Sequence, residues 1–251
     1  MTASDATAAP AVPQGLADLG PEALAGPVVE AWSAFCDLAA AADLARPSRL
    51  PGWSGRDVCV HLGSWEDSRP LQAVLESARA GGATTTSVPD ERNEALVAAH
   101  GGATDGEVLD SLRRARDAVA EFFASPEART LATAPASSAV GPLPVLSLVC
   151  AGTYELAVHA LDLAPCDAPA PPRHLLLTGL GSLLDVTGAL AARRGLTASA
   201  GAQTPDGGWQ FDAAAGGWTT RALAPGPVDG TAVLAPADVL LEVSAGRVAA
   251  A

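Results

Sequence analysis

The sequence predicts an α+β protein in which a bundle of four helices precedes a small α+β unit. Apolar residues recur at helical spacing in four segments before residue 164. Four prolines then interrupt residues 164–172, where we place a domain boundary. After one more helical segment, short apolar runs alternate with glycine, aspartate or proline, which is typical of strands and turns. The predicted division is a disordered terminus over 1–13, a helical bundle over 14–164 and a small domain over 173–251.

The four helical segments are joined by loops of moderate length, which favours an up-down bundle. They cover residues 21–44, residues 54–79, the pair 90–99 and 105–124, and a last stretch from about residue 146. Ser54 stands three residues before Asp57, the spacing of a capping box, so the second helix is expected to begin there.

The C-terminal part is predicted to hold two helices and four short strands. The helices cover residues 173–194 and a segment that starts at Pro236 and ends at Gly246 and Arg247. The strands cover residues 197–202, 209–213, 218–223 and 231–234. Because the proline-rich boundary is short, we expect this domain to pack beside the bundle and to direct Arg247 toward the pocket of the metal site described next.

The fourth helix carries ionisable residues in an apolar stretch. Glu155, His159 and Asp162 stand at i, i+4 and i+7 and therefore share one face. Such groups are costly to bury unless they are paired or bind a metal. A glutamate and a histidine one turn apart can chelate one ion, and His61 on the second helix is the best third ligand, because bundles build metal sites from facing helices. Two histidines and a glutamate suit a catalytic zinc site with an open position, and equally iron(II).

Each of these residues also has a simpler interpretation. Glu155 and His159 could form an ion pair at a helix interface without a metal. Asp162 either orients His159 or an arginine, or faces solvent at the helix end. The other two histidines, His100 and His174, are expected at the surface.

The composition argues against several classes of function. The formal net charge is -13, which disfavours nucleic acid and anionic membranes as partners. No apolar run reaches the about 18 residues of a membrane helix, and residues 1–13 lack the features of a signal peptide. The sequence therefore predicts a cytoplasmic protein whose four cysteines are reduced. It contains no nucleophile elbow, phosphate-binding loop or dinucleotide fingerprint.

Two stretches resemble the metal motifs of the mycothiol-dependent maleylpyruvate isomerase family. They are SRLPGWSGRDVCVHL, residues 48–62, and ELAVHALDL, residues 155–163. The end PADVLLEVSAGR, residues 236–247, resembles the family's small sterol-carrier-like domain, which commonly ends in a Gly-Arg pair. The resemblance covers about residues 20–250 and implies a DinB-like four-helix bundle. It also implies that the positions matching His61, Glu155 and His159 bind a divalent metal, usually zinc, with iron or nickel as other candidates.

The resemblance implies a metalloenzyme that acts on a small electrophilic or carboxylate-bearing metabolite. We expect a monomer or homodimer. A thiol bound to a metal loses its proton near neutral pH, and mycothiol is the thiol that the family implies. Addition of that thiolate to a double bond, followed by rotation and release, gives an isomerase, whereas retention gives a thiol transferase. Arg247 and Asp162 are the expected catalytic residues. Arg247 would pair with a substrate carboxylate, unless it is only an exposed arginine at a helix end.

Two other functions stay open. The metal could act without a thiol, in a lyase, cyclase or hydrolase, because one fold supports many reactions. Alternatively, the protein could be a non-catalytic, metal-stabilised binding or regulatory module. Dependence of activity on an added thiol separates the first of these from the isomerase, and a closed four-ligand shell would favour the module.

Overall fold

The computed structural model describes residues 12–82, 90–226 and 232–248. The predicted disordered terminus therefore lies outside the described residues, except for residues 12 and 13. The helices are α1 Gly20–Ala41, α2 Gly55–Leu62, α3 Pro70–Arg79, α4 Asp90–His100, α5 Asp105–Ala124, α6 Glu127–Thr130, α7 Val145–Asp162, α8 Arg173–Arg193 and α9 Ala237–Ser244. The strands are β1 Pro135–Ala136, β2 Leu143–Pro144, β3 Ala198–Thr204, β4 Gly207–Ala214, β5 Gly217–Leu223 and β6 Ala232–Leu234.

The helical part is held together by apolar faces of α1, α2, α5 and α7. Helix α1 packs against α5 and α7, and α2 packs against both α5 and α7. The predicted inner stripe of α5 is buried; it consists of Val108, Leu112, Ala115, Val119 and Phe122. Apolar residues at this spacing form one face, and its burial supplies most of the stability of such a helix.

The predicted second helix over residues 54–79 was wrong in its length. It begins as expected, since Ser54 Oγ accepts from the backbone N–H of Asp57 at 3.2 Å and the Ser54 N–H donates to the Asp57 carboxylate at 2.8 Å. However, α2 ends at Leu62 and a new helix starts at Pro70. Proline cannot donate a helical hydrogen bond and its ring clashes with the preceding turn, so it favours the first position of a helix. The interruption leaves His61 in the last turn of α2.

The C-terminal part is a four-stranded sheet covered by α8. The strand order is β5-β4-β3-β6, in which β3 pairs antiparallel with β4 and parallel with β6. The strand predicted over 231–234 is described from Ala232 onward. Helix α8 packs on the sheet and also on α7, where Gly179 lies so close to Ala157 that an added Cβ would stand 2.5 Å from the Ala157 methyl. Because α8 contacts both parts, the domain boundary at 164–172 stays a prediction.

Two helices have the length and composition of membrane-spanning segments, although the sequence was expected to hold no such run. They are α7 and α8, and 67% and 61% of their apolar windows are buried inside the protein. This is the burial of core helices in a globular fold. Their apolar character is therefore explained by packing against the bundle and the sheet.

Leu156 tests the bundle core, because its side chain is 0% exposed in the middle of α7. We expect Leu156→Ala to lower the free energy of unfolding by about 2–5 kcal/mol, since it removes buried methyl groups and leaves a cavity. The same substitution at Leu196, which is 51% exposed, is the matched control and should change stability by less than about 0.5 kcal/mol. Urea unfolding of the two variants compares them, and equal losses would contradict this packing.

Candidate metal centre

The three predicted metal ligands lie together between α2 and α7. His61, Glu155 and His159 each offer one ligand atom, and these atoms lie within 4.8 Å of one another. His159 Nε2 is 3.6 Å from Glu155 Oε2, and the rings of His61 and His159 meet edge to face with centroids 5.3 Å apart. Among the described residues this is the cluster of histidine, cysteine and carboxylate groups that could hold a metal ion.

His159 is fixed from behind by a buried carboxylate. Its Nδ1 lies 2.9 Å from Asp162 Oδ2, and the Asp162 side chain is 0% exposed. Because a carboxylate accepts, Nδ1 carries a proton, and Nε2 faces the Glu155 carboxylate. Burial alone would raise the pKa of Asp162, but hydrogen bonds from His159 and Arg247 lower it below its usual value. The carboxylate is therefore ionised, and it fixes the orientation of the His159 ring.

Arg247 completes this arrangement from the C-terminal end of the chain. Its Nε donates to Asp162 Oδ1 at 3.1 Å and its Nη2 to Asp162 Oδ2 at 2.9 Å. Such a two-pronged pair is both strong and geometrically specific. The sequence predicted that the C-terminal domain would direct Arg247 toward the pocket of the metal site; Arg247 instead contacts Asp162, on the side of His159 away from Glu155. Its guanidinium is thus already engaged with a carboxylate of the protein, and its contact with a substrate carboxylate stays a prediction.

The two histidines have different protonation. Burial and the nearby charge of His159 lower the pKa of His61 to about 4, against the opposing effect of Glu155. Burial would also lower the pKa of His159, but its contacts with Asp162 and Glu155 raise it above its usual value. His61 therefore presents a neutral imidazole, whereas His159 would release a proton when it binds a cation.

Glu155 differs from the expectation of a fully buried stripe, because 51% of its side chain is exposed. Lost hydration raises its pKa, while the contact with His159 at 3.6 Å and the charge of Arg247 lower it below its usual value. Water weakens each of these effects at a half-exposed group. The carboxylate is ionised, and it forms the open side of the cluster.

The residues fit a divalent metal. Among the described residues, His61 Nδ1 is a buried nitrogen without a hydrogen-bond partner. An unpaired buried polar atom costs about 1–3 kcal/mol, and ligation is an interaction that such a nitrogen can make. Two imidazoles and one ionised carboxylate are the donor set of many three-ligand zinc sites. An ion pair alone would leave the His61 nitrogen unsatisfied.

A cavity of about 530 Å³ adjoins the cluster, and both His61 and Glu155 line it. Its apolar wall comprises Trp32, Leu62, Leu71, Leu75, Ala115, Ala118, Val119 and Phe122. The wall therefore comes from α1, α2, α3 and α5, and the break between α2 and α3 supplies one side. Arg247 and Asp162 do not line this cavity; they contact the centre behind His159.

The remaining histidines lie outside the cluster. His174 is exposed on α8, as the sequence predicted. His100 was expected at the surface, but it is half-buried at the end of α4, where its ring stacks on Trp65 at 3.9 Å and its Nε2 lies 3.1 Å from Asp67. A single histidine beside two glycines in the sequence carries no signal of this aromatic contact.

Comparison with known proteins identifies one family. The family model described as the mycothiol maleylpyruvate isomerase N-terminal domain matches residues 25–164. Comparison with curated proteins gives no match. The fold is similar to the crystal structure of the mycothiol-dependent maleylpyruvate isomerase, with a TM-score of 0.56 and 17% identity over 93% of this chain and 92% of that chain. A histidine-to-alanine mutant of that enzyme gives a TM-score of 0.57 and 16% identity over the same shares of both chains.

The family assignment rests on the matched length. The family model matches more than half of the chain, and the matched range includes His61, Glu155 and His159. The structural likeness, at under a fifth identity, establishes that a helical N-terminal region and a C-terminal sheet domain are arranged as in that enzyme. The chain therefore belongs to the mycothiol maleylpyruvate isomerase family, which points to an isomerase.

Proposed function

We propose that this protein is a cytoplasmic, divalent-metal-dependent isomerase that uses mycothiol and acts on a small electrophilic, carboxylate-bearing metabolite. The observation that carries the proposal is the cluster of His61, Glu155 and His159, whose ligand atoms lie within 4.8 Å of one another beside a cavity that His61 and Glu155 line. Zinc is the preferred metal, and iron or nickel would suit the same ligands. We also propose that residues 164–172 form the boundary between the helical bundle and the C-terminal domain.

The three residues would hold the metal and leave one side open toward the cavity. A metal bound there would lower the pKa of a thiol in its open position, so that the thiol is present as thiolate near neutral pH. Glu155 has an ionised carboxylate on the open side, and His61 is neutral. Both are therefore ready to bind a cation without first losing a proton.

Asp162 and Arg247 act as positioning residues in this proposal. Asp162 accepts from His159 Nδ1 and so leaves Nε2 as the nitrogen that would bind the metal after losing its proton. Arg247 neutralises Asp162, which is buried and would otherwise be an uncompensated charge. The apolar wall of the cavity would contact the uncharged part of the substrate.

Thiol dependence tests the proposed function. We expect zinc-loaded protein to isomerise maleylpyruvate when mycothiol is present and to show no turnover without a thiol. His61→Ala should abolish this activity, and His174→Ala, which changes an exposed histidine on α8, should not. Product can be followed by chromatography.

Other results would redirect the proposal. Equal turnover with and without thiol would contradict it in favour of a thiol-independent lyase, cyclase or hydrolase. Metal binding without turnover of any unsaturated carboxylate would favour the non-catalytic module.

A further inference from the structure

Gly152 lies inside helix α7 and lines the cavity beside the candidate metal centre. It stands three residues before Glu155, which lines the same cavity. Residues three apart on a helix are neighbours on one face of that helix. Gly152 therefore forms the part of the cavity wall next to Glu155, the half-exposed member of the metal cluster.

A glycine inside a helix needs a reason, because it is less favourable there than every residue except proline. In α8 the reason is close packing against the sheet. A Cβ added at Gly181 would stand 2.5 Å from the Trp209 ring, and one added at Gly188 would stand 2.8 Å from the Trp218 ring. Any larger residue at these two positions would collide with a tryptophan.

Close packing does not account for Gly152. Within the parts of the chain that the structure describes, and leaving aside its own helix backbone, a Cβ added at Gly152 would meet no atom within 4 Å. Its backbone is that of the α7 helix, a conformation in which alanine is more stable than glycine. Neither packing nor backbone geometry requires glycine here, and what the residue supplies is open space on the cavity side of α7.

We propose that Gly152 is a specificity-determining residue, whose missing side chain leaves space beside Glu155 for the body of the thiol cosubstrate. This inference rests on the proposed function and names the residue that limits the size of the thiol. The cavity of about 530 Å³ holds a body much larger than a thiol group. Space at a functional site is then kept at a small loss of helix stability, a common trade-off between activity and stability.

Thiol binding to the full-length, zinc-loaded protein tests the inference without turnover. Isothermal titration compares 2-mercaptoethanol with 1-thioglucose, which carry the same reacting group on a small and on a large body. In Gly152→Leu, we expect the affinity for 1-thioglucose to fall at least about tenfold relative to that for 2-mercaptoethanol, since overlap with a filled space costs that much or more. Gly152→Ala should give a smaller change in the same direction. Both variants should keep the zinc affinity of the unmodified protein.

Urea unfolding supplies a second measurement, in which the expected change has the opposite sign. Gly152→Ala should unfold at a urea concentration no lower than that of the unmodified protein, because alanine favours the helix and meets open space. Gly106→Leu on α5 is the matched control. It fills an exposed helical position where an added Cβ would lie an ordinary 3.9 Å from Thr104 Oγ1, and it should leave both thiol affinities unchanged.

The outcomes separate this inference from the proposed function. If the unmodified protein binds both thiols and Gly152→Leu keeps their affinity ratio, this inference alone is wrong. A lower urea midpoint for Gly152→Ala would show that glycine is needed for packing, and loss of zinc in both variants would assign it to the metal site; either result overturns the inference. If the unmodified, zinc-loaded protein binds neither thiol, the proposed function fails and this inference fails with it.

Discussion

Replacing His159 by alanine is expected to abolish metal binding and, with it, activity. His159 is buried, its Nε2 lies on the Glu155 side, and its Nδ1 is held by Asp162. Loss of a residue that only orients a metal ligand costs about 10–100-fold in metal affinity, so loss of a ligand itself should exceed about 100-fold. Zinc affinity measured by competition with a chromogenic chelator gives the value directly.

The control for this variant is His174→Ala, which makes the same chemical change at an exposed position. It should retain the zinc affinity of the unmodified protein. Circular dichroism on both variants separates loss of the site from loss of the fold. A folded His159→Ala protein that binds zinc normally would show that the metal, if present, is held by other residues.

The second large effect is expected at Asp162, a fully buried carboxylate that contacts both His159 and Arg247. Asp162→Ala leaves the arginine without its partner and the His159 N–H without an acceptor. Breaking a buried ion pair from one side costs about 3–5 kcal/mol, and loss of the orienting group costs about 10–100-fold in zinc affinity. Chemical denaturation and zinc titration measure the two effects on one sample.

Two comparisons sharpen this prediction. Asp110→Ala on α5 removes an exposed aspartate from a surface pair and should cost less than about 1 kcal/mol, with zinc affinity unchanged. Arg247→Lys should keep part of the stability and zinc affinity of the unmodified protein. It should not keep all of it, because an ammonium cannot reproduce the two-pronged contact. If Asp162→Ala had the same free energy of unfolding and the same zinc affinity as Asp110→Ala, the contact between Asp162 and His159 would contribute to neither stability nor metal binding.

The sequence predicted the local features of the centre because they depend on spacing within one helix. Glu155 and His159 lie one turn apart, so any helix through them places both on one face. The capping box at Ser54 and Asp57 likewise set the start of α2. The pairing of α2 with α7 required only that the apolar faces of a bundle meet.

Features formed by distant residues had no such signal. Arg247 and Asp162 are 85 positions apart, and their pairing depends on how α9 packs on α7. The same is true of Asp185, whose Oδ1 accepts hydrogen bonds from the Leu16 N–H, Trp218 and Thr220 across three elements. Long-range contacts of this kind follow from the tertiary arrangement and not from periodicity.

The interruption after α2 was the missed local feature with the largest consequence. Residues 63–69 read GSWEDSR, in which Trp65 is the one large apolar side chain, so together with Pro70 they signalled a helix end that the prediction of one helix over 54–79 passed over. The break creates the segment that brings Arg69 into the lining of the cavity. A residue that lines the cavity therefore lay where the sequence predicted an uninterrupted helix.

The account as a whole depends on a metal held by His61, Glu155 and His159. Elemental analysis of protein purified without chelators tests this most directly. We expect about one divalent ion per chain, with less than a tenth of that in His159→Ala and no loss in His174→Ala. Protein that contains no divalent metal, and that takes up none when zinc, iron or nickel is supplied, would contradict the account and leave the three residues as an ion-paired cluster between two helices.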